Sequence, residues 1–283
     1  MRKTPLIDAV ARTYPEYERE QIMAFILCGD VRVNDEVLRD PKIPVDPSQS
    51  VAISSQKFVS RGGDKLDAAI RAWRISVDGK VFVDAGCSTG GFTDCLLSHG
   101  ALRVHAVDVG FNVLAYRLRG DERVVVHERT NITTITRLDP VPDAAVADLS
   151  FRSLRGVVAH LLALTRERWG VVLMKPQFEL GDSIPAGARS GRFDGVVRDS
   201  SELVSIVVAT ADALSAERVV IESIMPSPIR GRKGNIEILC KVRLLEPNEP
   251  SDRARPSADR SGGASTRFSE EISRMLRDRS GLL

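Results

Sequence analysis

The sequence predicts an α/β protein: a mostly parallel, seven-stranded sheet with helices on both faces, preceded by a small α+β module. Three observations carry that expectation. From Ser60 onward, apolar runs of strand length alternate with helix-spaced stretches. Several of those runs end in a charged residue, namely Asp84, Asp108, Asp148 and Lys175, and in sheets of this kind ligands sit at the carboxyl ends of the strands. The first 56 residues show a different pattern, with two short amphipathic helices followed by brief extended pieces.

In residues 1–56, Leu6, Ile7, Val10 and Ala11 share one helical face, and Ile22, Phe25 and Ile26 share another. The stretch GDVRVNDEVLRDPKIPV reads as a strand, a turn at Asn34-Asp35 and a second extended piece, and SVAIS closes the module as a further strand. That combination suits a binding module better than an enzyme. SSQKF reads as a linker. The stretch SRGGDKLDAAIRAW then predicts a helix with Asp64 as its cap and Lys65 in its first turn. Strands are predicted at Val81–Asp84, Val104–Asp108, Val124–His127, Ala144–Asp148, Val171–Lys175, Arg218–Glu222 and Ile236–Val242. Helices are predicted around Val157 to Leu162 and from Leu203 to Leu214. The expected domains are therefore 1–56, 57–246 and a tail, 247–283. That tail is rich in Pro, Ser, Gly and Arg, which reads as disordered, with one short helix-like stretch, SEEISRMLRDRSG.

The composition narrows the class. With 283 residues, 43% hydrophobic and 28% charged, the chain can bury one full core plus a smaller one. No apolar run is long enough to span a bilayer, and no signal peptide is read at the N-terminus. The four cysteines, Cys28, Cys87, Cys95 and Cys240, have neither metal spacing nor the look of a disulfide framework. A reduced, cytoplasmic protein without a metal is expected. The net charge of +2 excludes a basic sheath for nucleic acid, yet there are only eight lysines against thirty-two arginines. Lysine, unlike arginine, can lose its proton in a suitable site. Each lysine beside a motif therefore deserves a chemical question.

The stretch VFVDAGCSTGGFTDCLL runs from Val81 to Leu97 and places a loop of small residues after a strand. Its glycines, Gly86, Gly90 and Gly91, do not match the dinucleotide fingerprint, and Phe92 stands where a phosphate-binding loop needs Lys. The remaining pattern, from Asp84 through Gly86, Cys87, Ser88, Thr89, Gly90 and Gly91, is the shape expected for S-adenosylmethionine, which has no phosphate to cradle. Asp108 ends the next strand, where a carboxylate can accept both hydrogen bonds of a ribose diol.

The reacting groups are expected at other strand ends. AVADLSF places Asp148 after a buried strand, and WGVVLMKPQFE does the same for Lys175. Partial burial of that ammonium would favour its neutral form. GRKGNIEIL puts Glu237 on a late strand between Ile236 and Ile238, where a carboxylate calls for a cationic partner. Two lysines, an aspartate and a glutamate around one cleft suit removal of a proton from a weak hydroxyl nucleophile such as a ribose 2′-OH. No Pro-Cys pair stands at a strand end as a nucleophile for base-carbon methylation, and Cys87 lies inside the loop as a small residue.

In this order, FVSRGGDKL, VDAGCSTGGFTDCLL, VHAVDVG, RVVVHERTN, DLSF, KPQFE, GVVRD and PSPIRGRKGNIE resemble the TlyA (hemolysin A) family. The resemblance runs from Met1 to Leu245 and is strongest from Phe58 to Leu239. It implies a ribosomal RNA 2′-O-ribose methyltransferase acting on cytidine. Its catalytic half would have the FtsJ-type Rossmann-like class I methyltransferase fold, and its N-terminal half would be an RNA-binding domain of the ribosomal-protein-S-four (alpha-L) type. It implies a catalytic tetrad of Lys65, Asp148, Lys175 and Glu237. For the cofactor it implies Asp84, the loop from Gly86 to Phe92, Asp108 with Val109, Glu128 and Asn131 of HERTN, and Asp148. Ribosomal RNA or ribosomal subunits are the partners it implies, with no obligatory protein partner. Where the family's small domain carries a Ser-Arg-x-x-Ala run, this chain has EYEREQIMAF, with Glu16, Glu18 and Glu20, so its basic face is thinner.

RNA contacts are expected from Arg19 and Arg32 in the small domain and from Arg61. The long connection FELGDSIPAGARSGRFDGVVR adds Arg189, Arg192 and Arg198 for phosphates and Phe193 for stacking on a base. Competing readings are a catalytically idle RNA-binding assembly factor, a cytolysin and a nicotinamide-dependent oxidoreductase. The intact tetrad argues against the first. The lack of a span or a long cationic amphipathic helix argues against the second. The missing fingerprint argues against the third.

Overall fold

The computed structural model describes residues 3–34, 36–53, 57–180, 194–250 and 272. The chain divides into two compact units, Met1–Lys57 and Phe58–Leu283.

The first unit holds β1 (Thr4–Pro5), α1 (Leu6–Thr13), α2 (Arg19–Cys28), β2 (Val31–Val33), β3 (Glu36–Val37), β4 (Pro44–Val45) and β5 (Val51–Ile53). The strands form a three-stranded sheet in the order β3-β2-β5 and a small β1-β4 pair. The two helices turn Leu6, Val10, Ile22 and Ile26 onto a core shared with Val31 of the sheet, all fully buried. The apolar spacing predicts these faces. The two-residue strands β1 and β4 are too short to leave a periodic signal.

The second unit is built from α3 (Arg61–Trp73), β6 (Val81–Ala85), α4 (Gly91–Ser98), β7 (Arg103–Val107), α5 (Tyr116–Arg119) and β8 (Val124–His127). It continues through β9 (Ala144–Ala147), α6 (Val158–Ala163), β10 (Trp169–Met174), α7 (Pro176–Glu179), α8 (Ser200–Ala216), β11 (Val219–Pro226) and β12 (Ile238–Leu244). The sheet has seven strands in the order β11-β12-β10-β9-β6-β7-β8. The five strands from β10 to β8 pair in parallel, and β12 runs antiparallel to both β10 and β11. Separate apolar clusters fill the helix layers on the two faces. This is the Rossmann-like arrangement the alternation predicts.

The register decides where the charged strand ends meet. Ala85 lies level with Val107 on one side and Ala147 on the other. Asp84, Asp108 and Asp148 therefore fall along one edge of the sheet, on either side of the point where the strand order reverses. Met174, at the end of β10, pairs with Ile238, at the start of β12. Because β12 is antiparallel, its first residues reach the edge where β10 finishes, and Glu237 arrives beside Lys175.

Two boundaries next to the charged residues differ from the sequence reading. The helix that carries Lys65 starts at Arg61 with Ser60 as its N-cap, so Asp64 is inside it and Lys65 lies in its second turn. Gly62 and Gly63 lie in its first turn and serve close packing: a Cβ on Gly63 would lie 2.3 Å from the Phe58 ring. Glu237 precedes β12 rather than sitting within it, and its carbonyl accepts a hydrogen bond from Ser227 N at 2.8 Å. Of the stretch expected to be a tail, residues 247–250 and Ile272 are described, and Ile272 is fully buried in the core. The rest of it lies outside the described residues.

A buried histidine and its half-buried partner make stability depend on pH. His105 on β7 is 0% exposed. Its Nε2 lies 2.8 Å from the Pro140 carbonyl and its Nδ1 lies 3.1 Å from His127 Nε2. The carbonyl can only accept, so His105 Nε2 carries the proton and Nδ1 accepts from His127. Burial pushes both imidazoles below the usual histidine value. The unfolded chain then binds more protons between the folded values and about pH 6.5, and stability is lost as pH falls through that window. The urea midpoint is expected to drop from neutral to mildly acidic pH. His105→Gln, which can still donate to Pro140, should flatten that slope; an unchanged slope would remove the pair as its source.

Candidate active site

A cavity of about 650 Å³ opens at the carboxyl edge of the sheet. One wall is the loop between β6 and α4. Gly86 there has φ +78°, and a Cβ on it would lie 2.9 Å from the Asp148 carbonyl oxygen, so the loop can pass this close to β9 only with glycine. Ser88 is also left-handed, at φ +48°, which aims its backbone N–H at Asp108 Oδ2, 2.8 Å away. Asp108 Oδ1 accepts from Gly110 N at 2.7 Å. Backbone donors thus hold the carboxylate in place on the cavity wall, and each oxygen keeps a second lone pair.

Asp84 is the most buried acid here, at 0% exposure. Its Oδ2 accepts from the Thr93 hydroxyl at 2.6 Å, while its Oδ1 has no hydrogen-bond partner. Burial pushes its carboxyl up to about 7; the Thr93 bond opposes that rise, and the Asp148 and Asp108 charges add to it. Burial pushes the Cys87 thiol up as well, so it stays protonated and unreactive. Asn131 commits its Oδ1 to the backbone N–H and hydroxyl of Thr133, at 3.1 and 2.9 Å, and lines the cavity.

Opposite the loop stand two ion pairs. Lys175 Nζ is 2.6 Å from Asp148 Oδ1 and donates to Ser150 Oγ at 3.0 Å. Lys65 Nζ is 2.6 Å from Glu237 Oε2, with side-chain exposures of 11% and 4%. A helix, two parallel strand ends and the start of the antiparallel strand each supply one of these four residues, and all four line one cavity. Gly231 makes room for Glu237, since a Cβ there would lie 2.2 Å from Oε1.

Most of the expected cofactor residues line this cavity: Asp84, Gly86, Cys87, Ser88, Thr89, Gly91, Phe92, Asp108, Val109, Asn131 and Asp148. Two do not. Gly90 faces Leu114 and Leu118 in the helix layer. Glu128 is bound by Arg119 and by Val113 N, which fixes the neighbouring loop instead. Of the expected RNA contacts, Arg61 lines the cavity. Arg198 pairs with Asp194 at 2.7 Å and Arg19 with Asp8 at 3.0 Å. Arg32 is exposed on β2. Arg189, Arg192 and Phe193 lie outside the described residues.

The structure adds Phe151, Arg152, Gln177, Phe178 and Arg230 to the cavity lining. Phe151 is 86% exposed with φ +60°, and its ring stands 5.2 Å from that of Phe178. An exposed aromatic in a strained conformation beside a cavity is a signature of function.

Residues 58–240 match the family of FtsJ-like methyltransferases. The chain belongs to that family. Within it, hemolysin A of Brachyspira hyodysenteriae is 36% identical over 231 residues, covering 78% of this chain and 92% of that protein. The 16S/23S rRNA (cytidine-2′-O)-methyltransferase TlyA of Mycobacterium tuberculosis strain H37Rv is 37% identical over 231 residues, covering 80% and 84%. A solved structure of a protein assigned as a hemolysin from Streptococcus thermophilus matches with a TM-score of 0.67 at 28% identity over 98% of both chains. The expected TlyA (hemolysin A) membership holds, and this chain is an FtsJ-like methyltransferase. Among its described residues no helix is long and apolar enough to cross a membrane.

Proposed function

We propose that this FtsJ-like protein transfers a methyl group from S-adenosylmethionine to a ribose 2′-hydroxyl of ribosomal RNA, with cytidine as the acceptor. The observation that carries the reading is the pair of buried Lys–carboxylate contacts facing the glycine loop across one cavity. The name of the TlyA relative supports the acceptor.

The cavity fits the cofactor. Gly86 lets the loop run close against β9 and form the cavity wall, and the unpartnered Asp84 Oδ1 is a buried acceptor that an ammonium group would complete. Asp84 and the 86–92 loop would hold the methionine part, and Asp108, Val109 and Asn131 the adenosine. When bound, the cofactor supplies a sulfonium methyl that the hydroxyl oxygen takes, leaving a thioether. Lys175 Nζ, once it has given up its own proton to solvent, takes the hydroxyl proton, and the Asp148 carboxylate stabilises the ammonium so formed across 2.6 Å. The Lys65–Glu237 pair stands beside it and fixes the same wall of the acceptor site. Phe151 and Phe178 offer a surface for its base. The Met1–Lys57 unit is the RNA-binding domain in this reading, with the exposed Arg32 on β2.

The test is transfer of labelled methyl to separated small subunits, large subunits and free ribosomal RNA from cells lacking the protein. Label recovered in an alkali-resistant dinucleotide supports the reading, and cofactor binding with no label on any of the three overturns it. Two further outcomes follow. Asp108→Ala should weaken cofactor affinity at least about tenfold, by loss of a charge-assisted contact; unchanged affinity would take it off the site. A cationic ligand favours the ionised Asp84, so its binding releases a proton, and affinity should rise between about pH 6 and about pH 8. Calorimetry in buffers of different ionisation heat measures that proton, and Asp84→Asn should abolish its release.

A further inference from the structure

Gln177 follows the Lys175-Pro176 step on the first turn of α7 and lines the cavity. Its Oε1 is buried and has no hydrogen-bond partner among the described residues. A buried carbonyl without a donor is unfavourable, so its retention in a cavity wall points to a ligand that brings the donor. The next residue, Phe178, stands 5.2 Å from the 86%-exposed Phe151. A base laid against that aromatic pair presents its polar edge to the wall around it. Of the charged groups beside it, Lys175 is committed to Asp148 and Ser150, and Lys65 to Glu237.

We propose that Gln177 reads the edge of the acceptor base, its Oε1 accepting the exocyclic amino group of cytidine and disfavouring uridine, which places a carbonyl oxygen there. The inference rests on the ribose-methylation reading above and extends it to base specificity. Cytosine donates through its amino group at this position and uracil only accepts. With uridine, two acceptors would face each other in the amide orientation of this structure, with no proton between them.

The experiment uses full-length protein and subunits from cells lacking it, prepared with the mapped target nucleotide as cytidine or as uridine. Wild-type protein should favour cytidine at least about tenfold in kcat/KM, the loss associated with one unmade buried hydrogen bond. Gln177→Leu should bring the two substrates within about twofold of each other. Gln177→Glu keeps an acceptor and should retain the preference. Calorimetric cofactor binding by each variant at wild-type affinity shows that the fold is intact. A wild-type ratio near one, an unchanged ratio in Gln177→Leu, or loss of preference in Gln177→Glu would each overturn the proposal. Absence of methylation by wild-type protein on every subunit would overturn the ribose-methylation reading, and this proposal with it.

Discussion

Replacing Lys175 with alanine is expected to lower methyl transfer by about 10²–10⁴-fold while cofactor affinity stays within about twofold. The asymmetry follows from where the side chain sits. Lys175 touches Asp148 and Ser150, whereas the backbone donors that fix Asp108 and the bend at Gly86 belong to the β6–α4 loop. Removing the amine therefore takes away the group that handles the acceptor's proton and leaves the cofactor wall standing. Lys175→Arg separates charge from chemistry. It keeps a cation for Asp148 but cannot give up its proton in a protein. Single-turnover label transfer should show both variants slow, with Arg no better than Ala beyond about tenfold. Wild-type turnover by either would end the case for Lys175 as the base, and full activity in the arginine variant alone would recast it as an electrostatic anchor.

Much of this site is legible in the sequence because parallel sheets put chemistry at strand ends. Asp84, Asp108, Asp148 and Lys175 each follow an apolar run, and each lines the cavity. What the pattern does not carry is direction. An apolar run reads the same for a parallel and an antiparallel strand, so the reversal of β12 that brings Glu237 beside Lys175 is a tertiary fact. Helix α3 was placed too late for a related reason. Asp64 and Ser60 are both suitable cap residues by type, and the packing of Phe58 and Gly91 against Gly62 and Gly63, which accompanies the start at Ser60, is a tertiary contact.

The aromatic and amide residues of the cavity were missed because each follows a more conspicuous charge. Phe151 stands three residues after Asp148, and Gln177 two after Lys175. A phenylalanine in a loop with no apolar period around it was the available signal. Glu128 shows the converse. The family resemblance implies a cofactor contact for Glu128, while in the structure Arg119, nine residues before it, donates to one of its carboxylate oxygens.

Glu237→Ala should destabilise the second unit by about 3–5 kcal/mol, because it leaves the Lys65 ammonium buried without a counter-charge. The pair is 2.6 Å apart, with exposures of 11% and 4%, so little water is at hand to replace the carboxylate. The lowered urea midpoint measures that cost. A buried pair is weak ground for stability as such, since well-packed apolar side chains of similar size often do as well. The double variant Lys65→Met, Glu237→Leu should therefore recover most of the lost stability. It should recover none of the methyl transfer if the pair is there to organise the acceptor side of the cavity. Recovery of both would make the pair a folding feature. Recovery of neither would mean that the space left by Gly231 is shaped to a carboxylate and cannot accept leucine. The expected split, with stability regained and transfer lost, would assign the charge at this position to chemistry, since the fold could then be held by apolar packing alone.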